Sequence, residues 1–283
     1  MINPILEREL KTRMRTWKTP IMMTIYLGII AIMMLIYFLI TKQARLYGGA
    51  GFEPSMAISI YNTMLIGQFI ILMFVVPILT ATSISGERER QTLDLMLCSD
   101  ISPWKIIFGK MTAALSFVLL LVFSAMPFLG ISLLFGGVGL EDVIKIILYY
   151  MLTSIMVSAL GLYCSTRFKR VITSIVVAYF IMGIMFVGTS IGIGVFSTLM
   201  SSYGHADILE KYGYEIMSAF LAGNPSFGLS SLYLGDFMGF SRFVAIPTGM
   251  YQAIKPWMVN AIFDVIATTA LLFMTKRRLS KIK

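Results

Sequence analysis

Two runs of this sequence, Met56 to Ile84 and Met111 to Phe135, contain no Asp, Glu, Lys, Arg or His. Each exceeds the roughly 20 residues that a helix needs to cross a hydrocarbon core about 30 Å thick. Wedged between them is a compact charged segment, Ser85 to Lys110. A chain built this way reads as crossing a bilayer, returning through a short loop and crossing again. The same criterion of length and missing charge gives spans at Ile21 to Thr41, Met56 to Ile84, Met111 to Phe135, Ile144 to Tyr163, Val171 to Met200 and Trp257 to Thr275. Within them only Lys145, at an edge where it can snorkel, and Asp264, well inside the sixth, carry charge.

The fold class expected is therefore an all-α integral membrane protein in which residues 1–283 form one transmembrane domain. A hydrophobic content of 58%, a charged content of 13% and a mean hydropathy of +0.84 leave no segment for a separate soluble domain. Spanning β-strands alternate apolar and polar residues, whereas these runs are apolar on every side, so a barrel is excluded. The first residues mix both charge signs and no small-residue cleavage site follows the apolar run, so no cleavable signal is expected.

Orientation follows from Lys and Arg. With the N-terminus inside, the segments before span one, after spans two and four, and after span six hold seventeen of the 23 basic residues. Lys42, Arg45, Lys145, Lys211, Arg242 and Lys255 fall outside. This bias predicts that both termini are cytoplasmic. It also accounts for the net charge of +9 through anionic headgroups, so no nucleic-acid partner is implied. Cys98 and Cys164 make no metal or redox spacing, and His205 is the single histidine, so no metal site is expected.

Residues 1–19 read as an interfacial amphipathic helix. Asn3-Pro4 is a cap and first-turn proline, and Ile2, Leu6, Leu10, Met14 and Trp17 recur along one face. Glu7 with Lys11, and Glu9 with Arg13, stand at i, i+4 on the other. In the loop 85–110, Gly86 is expected to break the preceding span. A new short helix then begins with Glu87, Arg88, Glu89 and Arg90, on which Leu93, Met96 and Leu97 make an apolar knob. Such a helix suits a groove on a soluble partner, and equally it is a solvated connector. Ser102-Pro103 restarts a helix and Trp104 marks the interface. Arg167, Lys169 and Arg170, between spans four and five, are a possible second docking point or a plain positive-inside stop.

The opening NPILEREL (Asn3 to Leu10), the run ERERQTLDLML (Glu87 to Leu97) and SPWKIIFGK (Ser102 to Lys110) together resemble the membrane subunits of type 2 ABC transporters. That resemblance implies an elbow helix before six spans and a coupling helix after the second span that docks on an ATPase. It implies a dimer of this chain with itself or a paralogue, two ATPase subunits, and short re-entrant outer helices in 201–256 before the sixth span. Two departures stand out: Gln91 where many members have Gly, and Cys98-Ser99-Asp100 at the exit. The chain has no G-x-x-x-x-G-K-[ST] loop, so ATP and Mg are expected on a separate ATPase and this chain is expected to do no bond chemistry.

The expected function is thus the permease subunit of an ATP-driven exporter in a prokaryotic plasma membrane, carrying an amphipathic peptide, lipid-like molecule or drug. Ion extrusion within the family is an alternative. A secondary carrier that uses Asp264 without an ATPase is another, and a membrane assembly factor a third. Asn260, Asp264 and Thr268, four apart, share one face of the sixth span and are the candidate pathway residues.

Overall fold

The computed structural model describes residues 4–46, 54–93, 98, 102–134, 139–202, 223–233 and 256–282. Among these, regular structure is helical throughout: α1 (Pro4–Met14), α2 (Lys18–Leu46), α3 (Pro54–Ala81), α4 (Ser85–Glu89), α5 (Pro103–Ser124), α6 (Met126–Leu134), α7 (Leu140–Arg167), α8 (Val171–Gly183), a π turn (Ile184–Gly188), α9 (Thr189–Ser202), α10 (Pro225–Tyr233) and α11 (Pro256–Ile282). Six stretches of the described residues are long and apolar enough to span a membrane: Thr19–Ile40, Ile58–Glu89, Pro103–Gly130, Leu140–Arg167, Val171–Phe196 and Trp257–Lys281. They coincide with the six runs read from the sequence. Large apolar side chains line the outer faces of these helices, as Ile172, Val176 and Phe180 do at four-residue intervals on α8. Water would not tolerate that pattern, and hydrocarbon favours it.

The chain divides into two compact units, Met1–Ile175 with Leu272–Lys283, and Val176–Leu271. In the first, α3 and α7 run side by side in the same direction. The Tyr150 hydroxyl donates to the Leu65 carbonyl at 2.7 Å near one end, and Ser165 meets the chain at Ile84 near the other. Leu65, Phe69, Leu72 and Val76 bury one face of α3, with Phe69 stacked 5.9 Å from Tyr150. Where the two helices cross, Gly161 is obligatory: a Cβ there would collide with Thr80 Oγ1 and stand 3.2 Å from the Ala81 nitrogen. Close approach of that kind is the usual use of a small residue between spanning helices.

Three helix breaks differ from the sequence expectation. α1 ends at Met14, and Trp17 lies in the turn before α2, 83% exposed. The second span breaks at 82–84 and not at Gly86, which sits inside α4. The third span is two helices separated at Ala125, because Pro127 has no N–H to continue the ladder.

In the second unit, α10 begins at Pro225, directly after Asn224. The Asn224 side chain accepts the Ser226 N–H at 3.0 Å. Its amide nitrogen donates to the Phe186 carbonyl at 3.1 Å and the Thr189 hydroxyl at 2.9 Å, at the π turn. A π turn displaces the regular i, i+4 bonding, and a buried asparagine here takes up acceptors at that point. The remainder of 201–256, including His205, lies outside the described residues except for 201–202, 223–233 and Pro256.

Candidate functional site

The short helix α4 is held by residues of α1, α3, α5, α7 and α8. Lys110, near the start of α5, is 3% exposed. Its ammonium donates to Glu87 Oε1 at 2.9 Å, Glu9 Oε1 at 3.2 Å and the Ser83 carbonyl at 2.9 Å. An ammonium has three protons, and this one has three oxygen acceptors. One buried cation therefore ties α1, the end of α3, α4 and α5 together. Removing it would leave two partly buried carboxylates facing each other without their cation, which is the costly half of a broken buried pair.

On the opposite side, α7 and α8 take hold. Ser165 Oγ accepts the backbone N–H groups of Ile84 at 2.9 Å and Ser85 at 2.8 Å. These are amides that the break between α3 and α4 would otherwise leave buried and unbonded, so the hydroxyl is what allows the break. Ser85 Oγ and Ser174 Oγ both donate to the Ala81 carbonyl, at 2.7 and 3.0 Å. Glu89 accepts the Val171 N–H at 2.7 Å, placing a carboxylate at the N-terminus of α8 where the helix dipole favours it. Arg88 reaches the Phe168 carbonyl at 3.4 Å.

α4 ends in a Schellman motif. The Gln91 N–H donates to the Arg88 carbonyl at 3.1 Å and the Thr92 N–H to the Glu87 carbonyl at 2.9 Å. That closure needs a left-handed residue, and Gln91 supplies it with φ of 58°. The departure from glycine noted in the sequence thus falls on the one described non-glycine residue with positive φ.

The ABC-2 family transporter protein profile matches residues 50–273, most of the chain. This chain belongs to the ABC-2 transporter family. No curated protein matches it in sequence. The family is one of membrane transport subunits, and the six spans, the absence of a phosphate-binding loop and the transport role fit together on that footing. α1 and α2 both precede the matched residues.

Within this ABC-2 permease, the residues singled out from sequence fall in different places. Glu87 and Arg88 are partly buried and turned toward this chain, whereas Glu89 and Arg90 are exposed. Leu93 is 2% exposed, so its side chain is covered by the chain itself and is not an outward knob. Met96 and Leu97 lie outside the described residues. Arg167, Lys169 and Arg170 are all exposed, next to the Phe168 carbonyl that Arg88 approaches. Leu6 on α1 is partly covered and Trp17, in the turn after it, is exposed, while the side chains of Leu10 and Met14 lie outside the description. Glu7 pairs with Lys11 at 2.6 Å, and this hydrogen bond and charge hold the Glu7 carboxyl below its usual range. Lys110, Ser165 and Glu9's long-range role were missed. The available signals were a lysine in the first turns of an apolar helix and a serine at the end of another.

In the second unit Asn260, Asp264 and Thr268 do share a face of α11, and all three are buried. The Thr268 hydroxyl bonds the Asp264 carbonyl at 2.6 Å. Neither Asp264 carboxylate oxygen has a hydrogen-bond partner among the described residues.

Proposed function

We propose that this chain is the permease subunit of an ATP-driven exporter, acting as a dimer with itself or a paralogue and driven by two separate ATPase subunits that hold ATP and Mg. The observation that carries this reading is the junction around Lys110. α4 is a charged five-residue helix on a loop, and its position is bonded to α1, α5, α7 and α8. A force applied to such a helix moves the ends of four helices together and does not dissipate in a slack connector. In this reading α1 is the elbow, α4 with the following turn is the coupling helix, and the exposed Arg90 with Arg167, Lys169 and Arg170 faces the ATPase. Both termini then lie in the cytoplasm of a prokaryotic cell, as the distribution of basic residues supports. The substrate is an amphipathic peptide, lipid-like molecule or drug, and the Asn260, Asp264 and Thr268 face borders its path.

The test is co-purification. The chain, tagged at its C-terminus, is co-expressed with the ATP-binding-cassette subunits of its own genome, and one of them is expected to elute with it in a two-to-two complex with ATPase activity. Arg90→Glu combined with Arg167→Glu is expected to release that subunit while the permease stays in the membrane. Elution of the permease alone from every pairing would overturn the proposal.

A further inference from the structure

We infer that the end of α11 and the start of α5 form a binding site for an anionic phospholipid, with the phosphate on the basic groups and the acyl chains on the apolar faces below. The two helices meet here: the Lys276 ammonium of α11 stands 5.3 Å from the centre of the Trp104 ring of α5. Trp104 is itself stacked on Phe108, with centroids 5.5 Å apart. Next in sequence and about 100° round the helix, the Arg277 guanidinium lies 4.6 Å from the Phe273 ring centre, and Lys281 follows exposed one turn on from Arg277.

Four cations, Lys276, Arg277, Arg278 and Lys281, therefore gather at one helix end. Among the described residues, none of them is within ion-pair distance of a carboxylate. α5 contains no acidic residue, and α11 has none after Asp264. Lys110 shows how this chain treats a cation it intends to bond internally: two carboxylates are brought to it. Among the described residues the α11 cluster receives none, and an anionic headgroup would supply the counter-charge.

The choice of a lipid over a free anion rests on what adjoins the charges. Phe108, Phe273 and Met274 are exposed large apolar side chains directly beside the basic groups. Cationic groups above, an aromatic platform at their level and bare hydrocarbon below match the order of a phospholipid from headgroup to tail. Inorganic phosphate would use only the upper part.

Trp104 gives a direct readout, since the chain has only three tryptophans. In a Trp17→Phe, Trp257→Phe background, Trp104 is the single emitter. Placed in phosphatidylcholine nanodiscs containing a small fraction of brominated phosphatidylglycerol, it is expected to be quenched more strongly than by the same fraction of brominated phosphatidylcholine. Lys276→Gln and Arg277→Gln are each expected to reduce that preference roughly fivefold, whereas Lys276→Arg retains it. Equal quenching by the two brominated lipids would overturn the inference. So would relief of the quenching by millimolar inorganic phosphate, which would assign the site to a free anion. A preference that survives the double glutamine variant would remove these two residues from the site and overturn the inference as stated.

Discussion

Lys110 and Asp264 are the buried charged residues among those described, and the protein treats them in opposite ways. Lys110 meets three oxygens at hydrogen-bond distance, two of them from carboxylates on other helices. Asp264 is fully buried in a span, and neither carboxylate oxygen has a hydrogen-bond partner among the described residues. A cation with its full set of acceptors is part of a rigid joint, and the free energy of its burial is offset locally. A carboxyl group without partners adds nothing to its own unit and is retained at a cost. The difference assigns Lys110 to the architecture of the junction. Asp264 has no such set of partners among the described residues.

Four substitutions break or sharpen this contrast. Lys110→Met is expected to have the largest effect, a loss of about 3 kcal/mol, at the low end for a broken buried pair because Glu9 and Glu87 keep some access to solvent. It should appear as a lower thermal midpoint in nanodiscs and reduced yield, with Lys110→Arg recovering part of the loss. If Lys110→Met were as stable as the parent, the clamp would have no energetic content.

Ser165→Ala comes next, at about 2 kcal/mol, because two buried backbone N–H groups lose their acceptor at once. Hydrogen exchange should rise at Ile84 and Ser85 ahead of the rest of α3, and unchanged protection there would contradict the role given to the hydroxyl. Gln91→Gly should act in the other direction, raising stability by about 1 kcal/mol by removing a Cβ from a left-handed position. A loss of stability on that change would mean that the Gln91 side chain does something its geometry does not reveal.

Asp264→Asn is expected to be the smallest, within about 0.5 kcal/mol, since no bond within the described chain depends on the charge. A large loss of stability would place Asp264 beside Lys110 as a structural charge and erase the contrast. Normal stability with lost transport would instead tie the residue to the moving part of the mechanism.

The spans were legible because crossing a bilayer is a demand on each segment separately. Every backbone group must be bonded within the helix and nearly every side chain must be apolar, so a window of sequence contains the answer. The α10 start was legible for a similar reason: Asn-Pro is a local device. The helix breaks were less so. The third-span break at Ala125 has Pro127 to announce it, but the break at 82–84 depends on a serine eighty residues away. The knob expected at Leu93 failed as an exposed feature for the same reason, since its periodicity marks an apolar face without saying which surface covers it.

Local sequence was enough for the all-helical class, the six spans, the charged loop after the second and the family to which the chain belongs. Tertiary structure alone decided which charges are joined. Glu9 lies 101 positions from Lys110 and Glu87 lies 23 from it, so no local spacing marks either pairing, unlike the i, i+4 pair of Glu7 and Lys11 that is visible on α1. Helix periodicity fixes which residues share a face, but the partner of that face is set by how helices from distant parts of the chain pack. The three acceptors around Lys110, and the lack of any for Asp264 among the described residues, are both consequences of that packing.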